Sequence, residues 1–194
     1  MPRPLQFDKD KALEKAMNIF WHKGYEATSL QDLLEGMKLF KSSFYQSFGK
    51  KEDLFKSCLS HYRNRLARDL TKAIERAPSA MAFLETYFAD LSDNKHKDSM
   101  KGCMIMNTAT EFSQTNPTIA QLVKDGMNQL EMLFESVIRQ AQKEGDVPSK
   151  KDPQSLAQFL VSNISGLKTL AKAGAPKQTL TNISNTVLQT LKKS

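Results

Sequence analysis

Apolar side chains recur at spacings of three and four residues along most of this 194-residue chain, and alternation of apolar with polar residues persists nowhere between turn signals. A three-and-four rhythm gathers apolar groups on one stripe of a helix, whereas a half-buried strand needs a period of two. The chain therefore reads as all-α. Asp8 can cap a helix with the stripe Leu13, Ala16, Met17, Phe20 and Trp21, which Gly24 can end. Two short helices follow before Gly49, and a longer one carries Leu54, Phe55, Cys58, Leu59, Tyr62 and Leu66. Ala77-Pro78-Ser79 ends that run, since proline has no amide donor and disfavours helix in the residue before it. Further helices are expected around Met81 to Leu91, Cys103 to Phe112, Thr118 to Glu144, Asp152 to Lys172 and Pro176 to Leu191, with Ser92 to Ser99 as a loop.

Residues 28 to 51 read as two short helices around a tight turn, followed by a basic entry into the next helix. Thr28 and Gln31 have the spacing of a capping box, and Leu30, Leu33, Leu34 and Met37 form one stripe behind it. In the second short helix Leu39, Phe44 and Phe48 are the core anchors. Lys41, Ser42, Ser43, Tyr45, Gln46 and Ser47 cover the remaining faces, and such groups hydrogen-bond base edges and phosphate oxygens. No acidic residue falls between Gly36 and Lys51 to repel a polyanion. The alternative is the ordinary solvated face of a helical adaptor that binds only protein.

Charge agrees with an anionic partner without requiring one. Lysine and arginine total 28 against 21 acidic residues, and Lys56, Arg63, Arg65, Arg68, Lys72 and Arg76 face only Asp69 and Glu75 within residues 56 to 76. That stretch equally suits the wet side of an amphipathic helix. Cys58 and Cys103 form no closely spaced pair, so neither a disulfide framework nor a metal site is indicated. His22, His61 and His96 lack ligand spacing, and neither a phosphate-cradling glycine loop nor a nucleophile elbow is present. No enzyme and no cofactor are expected. With no signal-peptide core at the N-terminus and no run approaching the roughly 18 apolar residues of a span, the expectation is a soluble cytoplasmic protein without a membrane partner.

The C-terminal part carries two further expectations. Nothing acidic follows Asp152, and the last two helices are low in charge. Phe159, Leu160, Ile164 and Leu167, with Ile183, Val187, Leu188 and Leu191, are candidates for a homodimer interface, the alternative being closure of the subunit's own core. Phe83, Tyr87, Phe88, Met104, Met106, Phe112, Met127, Phe134 and Phe159 are candidate linings for an apolar effector, each with plain core as its alternative. Cys103 follows Lys101-Gly102 near a helix start, two features that stabilise a thiolate; the alternative is an inert buried thiol.

The first 60 or so residues resemble the TetR family of bacterial transcriptional regulators. The resemblance rests on Phe20 with Gly24-Tyr25, Ala27-Thr28-Ser29, Asp32-Leu33, Lys41 with Ser43-Phe44-Tyr45, then Phe48-Gly49 and Lys51-Glu52-Asp53-Leu54-Phe55. Gly102 to Ala109 is similar to one branch of that family, and relatives of that segment include sensors of electrophiles or oxidants. The resemblance implies a helix-turn-helix DNA-binding domain over residues 1–50 and a larger effector-binding and dimerisation domain over 51–194. It implies a ligand-responsive repressor that binds a palindromic double-stranded operator as a homodimer, the effector being an unidentified small molecule. Thr28, Tyr45 and Lys51 would hold phosphates, while Lys41, Ser42, Ser43, Gln46 and Ser47 would lie at or near bases. Three positions depart from the family pattern: Lys38 stands for a turn glycine, Phe40 for a small capping residue and Lys50 for the cap of the fourth helix. Lys38 is expected in the left-handed region. Phe40 is expected to pack inward, with contact to a thymine methyl as the alternative. Arg3 can reach a minor groove or belong to a loose tail.

Overall fold

The computed structural model describes residues 7–93, 101–112 and 116–192, and within them it contains nine helices and no strand. They are α1 (Lys9–Lys23), α2 (Leu30–Met37), α3 (Lys41–Phe48), α4 (Lys51–Arg76), α5 (Ala80–Asp93), α6 (Met104–Phe112), α7 (Pro117–Glu144), α8 (Pro153–Lys172) and α9 (Lys177–Leu191). The all-α architecture is thus observed, with helix ends within one or two residues of the sequence signals. Ser92 and Asp93 close α5 instead of opening a loop. Arg3, His96 and the rest of the expected 92–99 loop lie outside the described residues. Among the described residues no helix is long and apolar enough to cross a membrane.

Local chemistry fixes the first two helix starts. Asp8 accepts from the amides of Asp10 and Lys11, both at 3.1 Å, and so caps α1. The box at the start of α2 lies one residue later than Thr28 and Gln31 suggest. Ser29 Oγ accepts from the Asp32 amide at 3.0 Å, and the Asp32 carboxylate accepts from the Ser29 amide at 2.8 Å. Thr28 is displaced from capping because it is buried and its hydroxyl donates to the Gly24 carbonyl at 2.6 Å. Its expected phosphate role is corrected accordingly: the side chain braces the turn after α1. Gly36 lets α1 and α2 approach, since a Cβ there would lie 2.4 Å from Ile19 Cδ1.

Two apolar cores form. One joins α1 to α4 through Met17, Phe20, Leu33, Phe44, Leu54 and Phe55, and it also takes in Cys103, Met104, Ile105, Phe112 and Ile119 from α6 and its flanks. The core of α1 to α4 is therefore completed by residues about 50 positions downstream. The other core packs α5, α7, α8 and α9 around Phe88, Phe134, Ile138, Leu160 and Leu180.

This second core changes the reading of α8 and α9. Leu160, Ile164, Leu167, Val187 and Leu191 are buried within the subunit's own core, so they are corrected from interface to interior. Ile183 and Leu188 are half-buried, and Phe159 is 39% exposed. The physical reason is that α8 turns its main apolar stripe towards α7 and α9 turns its own towards α5. What α8 turns outward is small and uncharged, with Ser162, Gly166 and Thr169 between Phe159 and Leu170.

Candidate nucleic-acid interface

The turn between α2 and α3 is built on Lys38, whose φ of 59° and ψ of 50° are left-handed as expected. Its amide donates to the Glu35 carbonyl at 3.2 Å, and the Leu39 amide reaches the Leu34 carbonyl at 3.0 Å. These two bonds make a Schellman motif, which satisfies the last carbonyls of α2 and turns the chain sharply into α3.

Within α3, Phe44 and Phe48 point inward, while Lys41, Ser42, Tyr45 and Gln46 are exposed on the opposite side. The exposed four sit at i, i+1, i+4 and i+5, so helical geometry gives them one common face. Ser43 is half-buried at its edge. Ser47 is rotated further in, and its hydroxyl is buried without a hydrogen-bond partner among the described residues; the expected base contact is corrected on that ground. The sequence cannot distinguish these serines because they flank the Phe44 and Phe48 stripe on its borderline.

Phe40 contradicts the packing expectation, being 85% exposed. Leu39 already fills the inward position, and in the extended backbone at Phe40 the next side chain turns the other way. Phe40 also occupies the N-cap of α3 and makes no side-chain cap bond. At the start of α4 the missing cap is replaced from within, since the Asp53 carboxylate accepts from the Lys50 amide at 3.0 Å. Lys51 is half-buried, with its Nζ 4.2 Å from the Tyr25 ring centroid, a cation–π contact that fixes the ammonium beside the N-terminus of α4.

Electrostatics tie the two supporting helices together. Lys23 Nζ lies 2.7 Å from Asp32, joining α1 to α2. That bond, with those from Ser29, holds the Asp32 carboxyl down at about 2. Among the described residues, no carboxylate belongs to α3.

The expected effector residues separate into five places. Tyr87, Cys103 and Phe134 line one small cavity with Leu66, Leu130, Val161, Ile164, Ser165 and Lys168. Its volume is about 10 Å³, room for roughly one water. Met106 and Met127 instead line an open cleft of about 560 Å³ along the outer side of α8. Phe83 and Phe88 are core, Phe83 stacking on Tyr87 at 5.8 Å. Met104 and Phe112 belong to the core of α1 to α4, where Phe112 lies 5.0 Å from Tyr25 and 5.5 Å from Phe55. Phe159 is a surface residue. The pocket expectation is therefore corrected for Met104, Phe112 and Phe159, because the first two are committed to a different core and the last faces out.

Lys168 is the cavity residue that reading for apolar stripes misses. It lies seven residues after Val161 and four after Ile164, so it falls on the buried side of α8, and that spacing is the signal that could have found it. Among the described residues no carboxylate pairs with it, and the ionisable groups nearest are Tyr87, Tyr62 and Cys103. Tyr62 donates to Cys103 Sγ at 3.9 Å. Burial pushes the phenols of Tyr62 and Tyr87 up, and it pushes the Cys58 thiol up as well, so Cys58 is protonated and inert at neutral pH. No cluster of three histidine, cysteine or acidic side chains able to hold a metal occurs among the described residues.

Comparison with known proteins places the whole arrangement. Residues 12–58 match the family model for bacterial regulatory proteins of the tetR family, and residues 80–187 match that of the tetracyclin repressor-like C-terminal domain. The HTH-type transcriptional repressor ComR of Escherichia coli strain K12 is 35% identical over 189 residues, spanning 96% of this chain and 90% of ComR. The HTH-type transcriptional repressor DhaR of Mycobacterium sp. strain GP1 is 25% identical over 180 residues, 92% of this chain and 89% of DhaR. Among solved structures, a cysteine mutant of the TetR family regulator CifR, complexed with a 26-base-pair double-strand operator, superposes with a TM-score of 0.83. The identity is 28%, and the match covers 97% of this chain and 99% of the CifR chain.

Proposed function

The chain belongs to the TetR family of bacterial regulatory proteins, and on that premise we propose that it is a cytoplasmic transcriptional repressor whose homodimer binds a palindromic operator and lets go when a small molecule enters the C-terminal helices. The family is regulatory and not enzymatic. In this reading residues 1–50 are the reader and 51–194 the effector-binding and dimerisation part.

The observation that carries the reading is the exposed face of Lys41, Ser42, Tyr45 and Gln46 on a helix that begins right after a sharp turn. A face of that chemistry at the N-terminal end of a short helix suits a major groove. Lys41, Ser42 and Gln46 are assigned to base edges, with Ser43 at the border. Tyr45 and Lys51 are assigned to phosphates, Lys51 aided by the amides and dipole of α4. ComR and DhaR are repressors by description, and CifR binds operator DNA, which supports the same role here.

Dimerisation is assigned to the uncharged outer side of α8 and α9 around Phe159, Leu170, Ile183 and Leu188. The effector is assigned to the cavity of Tyr87, Cys103 and Lys168, which must open to admit it. To release the operator a hundredfold, the effector must favour the open form by about 2.7 kcal/mol.

Selection of bound sites from random duplexes, followed by salt titration, tests this. A palindrome with half-sites about one helical turn apart is expected, with log affinity falling by about 0.9 per phosphate contact against log salt. Absence of duplex binding beyond nonspecific levels, or a single unpaired half-site, contradicts it.

A second reading is favoured by one placement: Cys103 and the cationic side chain of Lys168 line the same cavity. In that case electrophiles or peroxide act as the releasing signal. Cys103→Ser should then abolish release by N-ethylmaleimide or peroxide while leaving operator affinity intact, and unchanged release rejects the thiol.

A further inference from the structure

Phe40 spends nothing on the fold. It is the most exposed of the large apolar side chains among the described residues, and it stands at the N-cap of α3 without a cap bond. Serine, threonine or aspartate there would add a hydrogen bond worth about 1 kcal/mol, so a phenyl group forgoes stability that a small polar residue supplies. A lone exposed aromatic is unremarkable on most surfaces. This one directly precedes the exposed Lys41 and Ser42 and lies two residues after the exposed Lys38, so it extends the polar face in the direction of a helix N-terminus. The N-terminal residues of a recognition helix are those that meet base edges. In a major groove the one apolar feature on a base edge is the C5-methyl group of thymine, and phenylalanine is among the side chains that contact it.

We propose that Phe40 reads a thymine methyl group in each operator half-site and so sets sequence specificity at that position. The assignment rests on α3 being the recognition helix. The ring removes the methyl from water, and it gives the reader an apolar contact that Lys41, Ser42 and Gln46 do not supply. Cytosine, which lacks the methyl at the same ring position, is disfavoured there.

Thymine-to-uracil replacement deletes that methyl and leaves base pairing in place. With the operator selected as above, single replacements are made at each thymine of the duplex and affinity of the full chain is read by fluorescence anisotropy. One symmetry-related thymine pair should respond, with a loss of about fourfold per methyl and about fifteenfold for both half-sites together, from the transfer of one apolar carbon. Phe40→Ala should bind thymine and uracil forms equally, and 5-methylcytosine should recover affinity in a cytosine-substituted site for the wild type alone. Phe40→Ser controls for folding, since it adds a cap and should match or exceed wild-type thermal stability.

If every uracil duplex binds within twofold of its parent, or if Phe40→Ala keeps the thymine preference, Phe40 does not read a methyl group. Both results leave the regulator reading standing, whereas loss of all duplex binding by the wild type overturns that reading first.

Discussion

The Glu111 carboxylate at the end of α6 accepts the backbone amide of Tyr25 at 3.0 Å, in the turn that leads from α1 to α2, and its other oxygen accepts from Glu26 at 2.7 Å. A side chain of the C-terminal part thereby fixes the backbone of the reader. Three neighbours reinforce the same junction: Phe112 against Tyr25, Trp21 Nε1 donating to the Gly102 carbonyl at 3.3 Å, and Lys101 Nζ donating to Asn18 at 3.0 Å. Since α6 is preceded by Cys103, whose side chain lines the inner cavity, a shift there has a short path to the reader.

Bonds from amides to an ionised acceptor are stronger than neutral ones. Glu111→Ala is expected to lower the unfolding free energy by about 1–2 kcal/mol, and Glu111→Gln by less, because one amide oxygen still accepts. Hydrogen exchange at the Tyr25 and Glu26 amides should speed up in Glu111→Ala. Unchanged protection at both amides would remove Glu111 from the junction.

Lys38 offers a test of backbone strain. A side chain with a Cβ in the left-handed region costs about 1–2 kcal/mol, part of which glycine's larger unfolded-state entropy cancels. Lys38→Gly should therefore stabilise the free protein by about 0.5–1 kcal/mol. The measurement is the urea midpoint without DNA, and a lower midpoint would show that the lysine side chain contributes more than its backbone costs.

Asp32 sets an acid limit on the start of α2. Its folded value of about 2 lies below the ordinary 3.8, first through the bond from Lys23 and then through those from Ser29. A depressed carboxyl stabilises the fold fully above its unfolded value and loses that contribution as pH falls towards the folded value. The stability deficit of Asp32→Asn should be constant from pH 7 down to about 5 and shrink towards zero below, with roughly half gone by pH 3. Paired denaturation curves between pH 7 and pH 3 measure it, and a deficit that stays flat throughout contradicts the ion pair.

Two exposed apolar side chains on α8 test the assembly. Phe159 and Leu170, 39% and 38% exposed, border the small uncharged strip of Ser162 and Gly166. Burying an unpaired carboxylate between two such strips is unfavourable by several kcal/mol. The double variant Phe159→Asp with Leu170→Asp should sediment as a monomer and lose operator affinity, with helical content retained. A dimer that persists in the variant would move the interface off this face of α8.

Much of the reader is legible in one dimension. The stripes of α1, α2 and α4, the left-handed turn at Lys38 and the outward placement of Lys41, Ser42, Tyr45 and Gln46 follow from spacing, propensity and family motif. Ser47 and Thr28 do not: Ser47 lies at the edge of the Phe44 and Phe48 stripe, where a rotation of a few tens of degrees decides between exposure and burial, and Thr28 is buried in the turn before α2. The cap of α2 shifts from Thr28 to Ser29 because the Thr28 hydroxyl has a second acceptor, the Gly24 carbonyl, that becomes available only in the folded turn.

Sequence periodicity by itself determined the helices and the polar character of α3, since both depend on residues within one or two turns of each other. Tertiary structure alone decided which apolar stripe closes which core, that Phe40 stands in solvent, that Lys168 meets Cys103 across a cavity, and that Glu111 reaches back 86 residues to hold Tyr25. The reason is physical: local pattern says how a side chain leaves its own helix, but which neighbour it meets depends on distant segments competing for the same apolar faces and the same few amide and carbonyl partners.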